Sequence, residues 1–600
     1  MATKQRLRSD INELDKWDLS KIYSSIEEFN TDYKYIEKEI DKLHNYEGKL
    51  MESAKNLYDY LELDFNISRK CSKLSNYARL HNDEDTTNSF YQELYGRVLN
   101  LYVKIDKVEA FAIPEMLKFD YSKIEEFYKE YSDLKKYEIN LKNIYRYKKY
   151  TLSEESEKLL SSLGKVFSTA GECYESLTDS DIKFGDLIGE NGEEVELTDS
   201  NYSIFIRSKD RNVRKQAFEM MYKVYEGYKN TIASALKGDV EASAAISEIR
   251  GYNSALEASL YEDNVPVDVY NNLINTVSNN LEPLFKYYKL KKEILNLDEI
   301  HLYDIYAELV QEKSKNYSFI EAKEIVINAL SVLGEDYITD LKTAFKNRWI
   351  DIYNNVGKRG GAYSSGGYDT YPYILLNFEG SLNDVSTLAH ELGHSMHSFY
   401  SIKNNPYNCY SYKIFVAEVA STVNELLLNN YLLNKTDDKE EKLSILNNLL
   451  ELFKSTIYRQ TMFAEFEKTI YEACENGEVL TNELMSNIYY DLNKKYFGND
   501  VVIDNQIRYE WERVPHFFYN FYVYKYATSL SASCYIVEGI LNNKEGALEN
   551  YLKFLTLGGS MDPIDELKVA GVDITDPKVV ESAIKMFDKT IEDFKNLHNS

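Results

Sequence analysis

From about residue 10 to residue 180, apolar side chains recur every three to four positions among many charges and few glycines, which predicts a succession of amphipathic helices. Glycines first gather between Ile182 and Leu197. There Gly185, Gly189 and Gly192 punctuate a stretch that closes on Asp199-Ser200-Asn201, predicting a strand-and-turn element and a domain boundary near residue 200. Helical periodicity resumes as far as Trp349 and stops at GKRGGAYSSGGYDTYPYILLNFEGS, Gly357 to Ser381, the most glycine-dense part of the chain. Within it, Tyr371 to Phe378 is short, aromatic and aliphatic, and predicts a strand fed by a loop. From Asn383 the helical pattern runs almost to the end, with breaks near Pro406, Gly498 and Gly558-Gly559. The expectation is a mainly α protein with one small β element. An N-terminal helical lobe would occupy 1–200, and a second domain, 201–600, would carry the chemistry. Six hundred residues exceed what one core usually organises, so two lobes with a cleft between them are expected.

Charge narrows the partners. Ninety-eight acidic side chains against 70 basic ones give a net charge of -28, which repels phosphate backbones and anionic lipid, so neither nucleic acid nor a membrane surface is expected as a partner. No run of 18 apolar residues suggests a membrane span. The five cysteines are odd in number and contain no CxxC pair, so they read as reduced thiols of a cytoplasmic protein. Oligomeric state is left open by the sequence.

The strongest chemical signal is His390-Glu391-Leu392-Gly393-His394. On a helix, positions i and i+4 lie about 40° apart around the axis and about 6 Å along it, so both imidazoles can share one ion. Glu391 lies to the side of that face, where a carboxylate can take a proton from water without being a ligand. A catalytic zinc usually has three protein ligands and one open position. A histidine six residues after His394 would complete a metzincin set, but Tyr400 stands there. Between Ser395 and Ala417 there is no Asp or Glu, so Glu418, among the apolar neighbours Phe415, Val416, Ala417, Val419 and Ala420, is the favoured third ligand. His397 is the competing choice and otherwise a core or supporting residue. Glu425, two turns beyond Glu418, can orient a ligand histidine through its free ring nitrogen. One zinc ion per chain is expected.

Two further stretches can hold a substrate. Pro515 can begin a helix on which His516, Tyr519, Tyr522 and Tyr526 share a face and could donate hydrogen bonds to a developing oxyanion. With 53 tyrosines in the chain, an aromatic stripe of this kind is more often core than catalytic. The backbone at Gly360, Gly361, Ala362 and Tyr363 could approach a ligand closely, and the strand after it could pair with an extended peptide.

With these residues in view, the chain resembles the oligoendopeptidase F branch of the thimet oligopeptidase-like (M3) zinc metallopeptidases. The resemblance is carried by KWDLSKIY from Lys16, EDNVPVDVYNNLI from Glu262, KRGGAYSSGGYDTYPYILLNF from Lys358, TLAHELGHSMHS from Thr387 and FVAEVASTVNELLL from Phe415. It continues through IYRQTMFAEFE from Ile457, HFFYNFYVYKYATS from His516 and LGGSMDPIDELKVAGVD from Leu557. What it implies is an elongated, two-lobed helical zincin with a deep substrate channel. Zinc would be bound by His390, His394 and Glu418, with Glu391 as general base. His516 and Tyr526, and with them Tyr519, would bind substrate and steady the tetrahedral intermediate, and the loop Gly360 to Tyr363 would touch the peptide. The implied activity is hydrolysis of internal bonds in short peptides. A peptidyl dipeptidase of the same family and a peptide-binding protein without catalysis are the alternatives.

Overall fold

The computed structural model describes residues 6–310 and 315–600. It is 72% helical, and its sheets, among the described residues, are one of three short strands and two of two, so the mainly α expectation holds. The chain folds into two compact units, each assembled from three segments: the described parts of Met1–Thr151, Ser314–Tyr431 and Ile536–Gly571, and of Leu152–Lys313, Leu432–Tyr535 and Val572–Ser600. Residue 200 falls inside the second unit, in a chain that passes repeatedly from one unit to the other.

In the first unit, helices Ile26–Leu43, Ala54–Glu84 and Ser89–Glu109 build the core. The 31-residue helix starts where the Ser53 hydroxyl accepts the Asn56 N–H, and it buries Leu57, Leu61, Ile67, Cys71, Leu74 and Ala78, all but one step three or four residues long, which gives it one apolar face. Tyr373 and Leu375, from the strand Tyr373–Leu375, are packed into that same core. This strand lies inside the segment Tyr371 to Phe378 expected from sequence. It pairs in parallel with Ile350–Asp351 and antiparallel with Tyr363–Ser365, with Ile374 opposite both Ile350 and Ser364. The N-terminal helices thus hold the small sheet from which the next segment, Leu382–Asn404, departs.

The second unit is organised on the 40-residue helix Arg211–Arg250, which ends at Gly251 in the left-handed conformation, with φ 86°. The strand-and-turn element expected around residue 190 is an antiparallel hairpin, Asp186–Ile188 with Glu194–Glu196. One expectation fails: Pro515 does not begin a helix that reaches Tyr526. A short 3-10 turn, Pro515–Phe518, is followed by a break, and the α-helix starts only at Tyr524. Phe521 has φ +54°, which no α-helix accommodates.

Asp351 is fully buried in its strand, where burial would push its carboxyl up; Arg8 and Lys358 instead hold it below the usual carboxylate range. Lys358 Nζ lies 2.6 Å from Asp351 Oδ1, and Arg8 Nη1 donates to the same oxygen at 2.7 Å. Removing one partner of a buried ion pair leaves an uncompensated charge, at a cost of about 3–5 kcal/mol. Asp351→Ala is therefore expected to lower the stability of the first unit by about that amount in denaturant unfolding.

Candidate metal centre

The helix Leu382–Asn404 is started by a capping box. The Ser381 hydroxyl accepts the Asp384 N–H at 3.1 Å, and the Asp384 carboxylate accepts the Ser381 N–H at 2.8 Å. Two turns on, the helix presents His390, Glu391 and His394. Beside it runs the helix Ile414–Lys435, which carries Glu418 and Glu425. The two helices meet at Gly393: a Cβ added there would lie 2.5 Å from Ser421 Cα and 2.6 Å from the Ala420 carbonyl oxygen. The buried Asn424 side chain ties them again by donating to the Ala389 carbonyl at 3.0 Å.

This contact brings three donor atoms together. His390 Nε2 and His394 Nε2 are 3.1 Å apart, and Glu418 Oε2 lies 3.5 Å from the first and 3.6 Å from the second. A tetrahedral zinc with ligands at about 2.0–2.1 Å needs neighbouring donors about 3.3 Å apart, so this triangle has the size of one tetrahedral face. Among the described residues, His390, His394 and Glu418 form the one cluster of three or more such side chains able to hold a metal.

Surrounding groups hold the two histidine rings. His390 Nδ1 bonds the Glu425 carboxylate, which leaves Nε2 as a lone-pair donor. The His394 ring bonds the backbone of Ala417, the residue before Glu418. Burial works against protonation of His390, but the Glu425 hydrogen bond and the adjacent carboxylates outweigh it and lift its pKa to about 9. Burial and the neighbouring His390 push His394 down to about 4.

Glu391 is buried at 7% exposure, and burial, opposed in part by His390, raises it to about 7. The backbone of Ser364, in the strand Tyr363–Ser365, hydrogen-bonds its carboxylate. The Ser364 hydroxyl also meets that of Ser395 at 2.8 Å, and Ser395 donates to the Pro372 carbonyl at 3.2 Å. Sequence reasoning missed Ser364. The only hint was its place beside the glycine loop, since a backbone donor leaves no mark in residue type.

The remaining expected site residues separate. His397 is buried away from the ligand cluster, stacked on Tyr412 at 3.8 Å between ring centroids, and burial pushes its pKa down to about 3, so it is a neutral core residue. Tyr363 gives its hydroxyl to Asp83 at 2.7 Å, so that group is committed within the fold. Gly361 and Ala362 line a cavity of about 210 Å³ with Asn377, Asp384 and Thr387, while Gly360 precedes it. His516, Tyr519, Tyr522 and Tyr526 lie in the second unit. There His516 Nε2 is 3.4 Å from the Tyr526 hydroxyl, the His516 ring lies 6.2 Å from that of Tyr522, and Tyr519 is exposed.

Two outcomes follow from this geometry. Glu425→Ala frees the His390 ring, and competitive chelator titration is expected to show metal affinity reduced by about 10- to 100-fold. Gly393→Ala drives a methyl group into the Ser421 backbone, so the helices must part. The same titration is expected to show at least as large a loss, together with a lower melting temperature.

Residues 204–586 match the model of peptidase family M3, and residues 115–184 match that of oligopeptidase F. The chain is 43% identical over 590 residues to oligopeptidase PepF of Bacillus subtilis, covering 98% of this chain and 88% of that one. It is 38% identical to group B oligopeptidase PepB of Streptococcus agalactiae, covering 98% of each. The fold superposes on a Chlamydophila abortus crystal structure with TM-score 0.92 at 36% identity, covering 99% of this chain and all of the other. With the crystal structure of oligoendopeptidase-F from Enterococcus faecium the TM-score is 0.75 at 34% identity, covering 96% and 99%. A family match over most of the chain, full-length relatives and a histidine-glutamate triangle sized for a metal agree: the chain belongs to peptidase family M3, in its oligoendopeptidase F branch.

Proposed function

We propose that the chain is a zinc endopeptidase that hydrolyses internal bonds of short peptides, with His390, His394 and Glu418 as ligands and Glu391 as general base. The observation that carries this reading is the triangle of two imidazole nitrogens and one carboxylate oxygen beside a buried, hydrogen-bonded glutamate. Two nitrogens and one oxygen at tetrahedral spacing suit zinc, which, when bound, supplies Lewis-acid polarisation of the peptide carbonyl and lowers the pKa of water.

The chain's own residues do the rest. Glu391 takes the proton of the attacking water and passes it to the leaving amine, a task suited to a carboxylate whose burial has raised its proton affinity toward neutrality. Burial lowers the proton affinity of His516, which with the Tyr526 hydroxyl offers donors for the oxyanion of the tetrahedral intermediate. Tyr519 and Tyr522 flank this pair as substrate contacts. The backbone of Gly360, Gly361 and Ala362, beside the strand Tyr363–Ser365, suits the edge of an extended peptide. Five scattered cysteines with no CxxC pair support a reducing cytoplasm as the working compartment. No helix among the described residues is long and apolar enough to cross a membrane.

A quenched peptide of about ten residues, blocked at both ends, tests the reading. Internal cuts seen by mass spectrometry are expected to vanish on chelation and return with zinc, and Glu391→Gln is expected to retain metal while losing about 10²–10⁴ in kcat. Cleavage only of peptides with a free C-terminus would identify a dipeptidase, and tight binding without cleavage a peptide-binding protein.

A further inference from the structure

The motif Ile457 to Glu467 has no part in the mechanism above, yet both of its ends grip the segment that carries His516 and Tyr526. Arg459 pairs with the buried Glu510 at 2.9 Å, upstream of His516. Glu467, fully buried, accepts the backbone N–H of Phe521 at 2.6 Å. Phe521 lies between the two residues of the proposed oxyanion pair, and it is strained. Of the five non-glycine residues with positive φ among the described residues, three are asparagines, which tolerate the left-handed region, whereas Phe521 is a bulky aromatic at φ +54°.

That strain has a geometric product. Ten residues of continuous helix would set His516 and Tyr526 about 15 Å apart. The turn at Phe521 folds the segment back, so the imidazole and the phenol stand 3.4 Å from each other. Other bonds hold the same turn from outside. Asn520 accepts from the Tyr471 hydroxyl at 2.9 Å, donates to the Ser243 hydroxyl at 2.8 Å, and through its carbonyl accepts from Ser259 at 2.8 Å. The Phe521 ring, 1% exposed, packs on Tyr471 at 4.6 Å.

We propose that Glu467 is a positioning residue for peptide hydrolysis: by accepting the Phe521 N–H it holds the left-handed turn that brings His516 and Tyr526 together. The proposal rests on the reading that this pair acts on the substrate. Burial lifts the Glu467 carboxyl well above the usual range. Its second oxygen has no hydrogen-bond partner among the described residues. Glutamine keeps a carbonyl acceptor of the same shape, whereas leucine fills the space without accepting.

The test is steady-state cleavage of the blocked peptide by the zinc-loaded full chain, with metal content and melting temperature measured in parallel. Glu467→Leu is expected to lower kcat about a hundredfold with metal retained, the size of loss that a misplacement of about 1 Å brings. Glu467→Gln should stay within about threefold of wild type, and in a His516→Ala/Tyr526→Phe background Glu467→Leu should cost nothing further. Asn520→Ala loosens the same turn without emptying the core and should lower kcat about tenfold, giving a reading even if Glu467→Leu does not fold. Wild-type kcat in both Asn520→Ala and Glu467→Leu, or an equal loss from Glu467→Leu in both backgrounds, overturns the positioning role alone. Wild-type kcat in the His516→Ala/Tyr526→Phe variant overturns the role of the pair, and the positioning role with it.

Discussion

The candidate metal centre depends on how closely two helices can approach at one glycine. His390 and His394 are four residues apart on one helix, and their spacing is a property of any helix. The third ligand has to come from elsewhere. Glu418 comes within 3.6 Å of both imidazoles because Gly393 lets the backbone at Ala420 and Ser421 sit where a side chain would otherwise be. The short side chains along the facing helix, Ala417, Ala420 and Ser421, are part of the same requirement. The HExxH helix supplies two imidazoles and a carboxylate; the second helix and the gap at Gly393 bring Glu418 to the histidines.

Around that contact the fold places groups whose protonation is opposed on purpose-built grounds of burial and charge. His390 is drawn toward the protonated form by Glu425 and His394 is held away from it, although the two rings are neighbours. Glu391 sits beside them, with its affinity for a proton raised by burial and its orientation set by a strand backbone. The strand is steady because its neighbour, Tyr373–Leu375, is rooted in the N-terminal helical core, and because Asp351 ties the adjoining strand to Arg8 and Lys358. A helical region therefore contributes to the candidate site by holding the sheet that runs beside Glu391.

The clustering of His390, His394 and Glu418 was legible in sequence because it follows from helical spacing and from the lack of any other carboxylate between Ser395 and Ala417. The helical character of the chain, the hairpin near residue 190 and the strand before the histidine helix were legible from periodicity and glycine placement. Other features were not. Ser364 acts through its backbone, which every residue has. Asp351 and Lys358 are charged residues in a glycine-rich stretch, and only the fold shows that they are buried against each other. His397 shares the histidine helix with the ligands, but its burial against Tyr412 takes it out of the ligand set.

The segment from Pro515 to Tyr526 shows where pattern reading reaches its limit and why. By periodicity His516, Tyr519, Tyr522 and Tyr526 share one helical face, and a helix is the locally favoured reading of such a stretch. A left-handed phenylalanine breaks it, and no local propensity favours that conformation. What stabilises it is non-local: an acceptor buried in another helix, more than fifty residues earlier, and an asparagine side chain bound on both sides. Tertiary contacts have selected a conformation that the segment would not choose alone, and the result is a contact between an imidazole and a phenol that a helix forbids. Strain of this kind persists only where surrounding structure over-determines it. Its occurrence between two candidate hydrogen-bond donors, rather than at a surface turn where asparagine or glycine would carry it without cost, is what separates these residues from the other tyrosines of the chain.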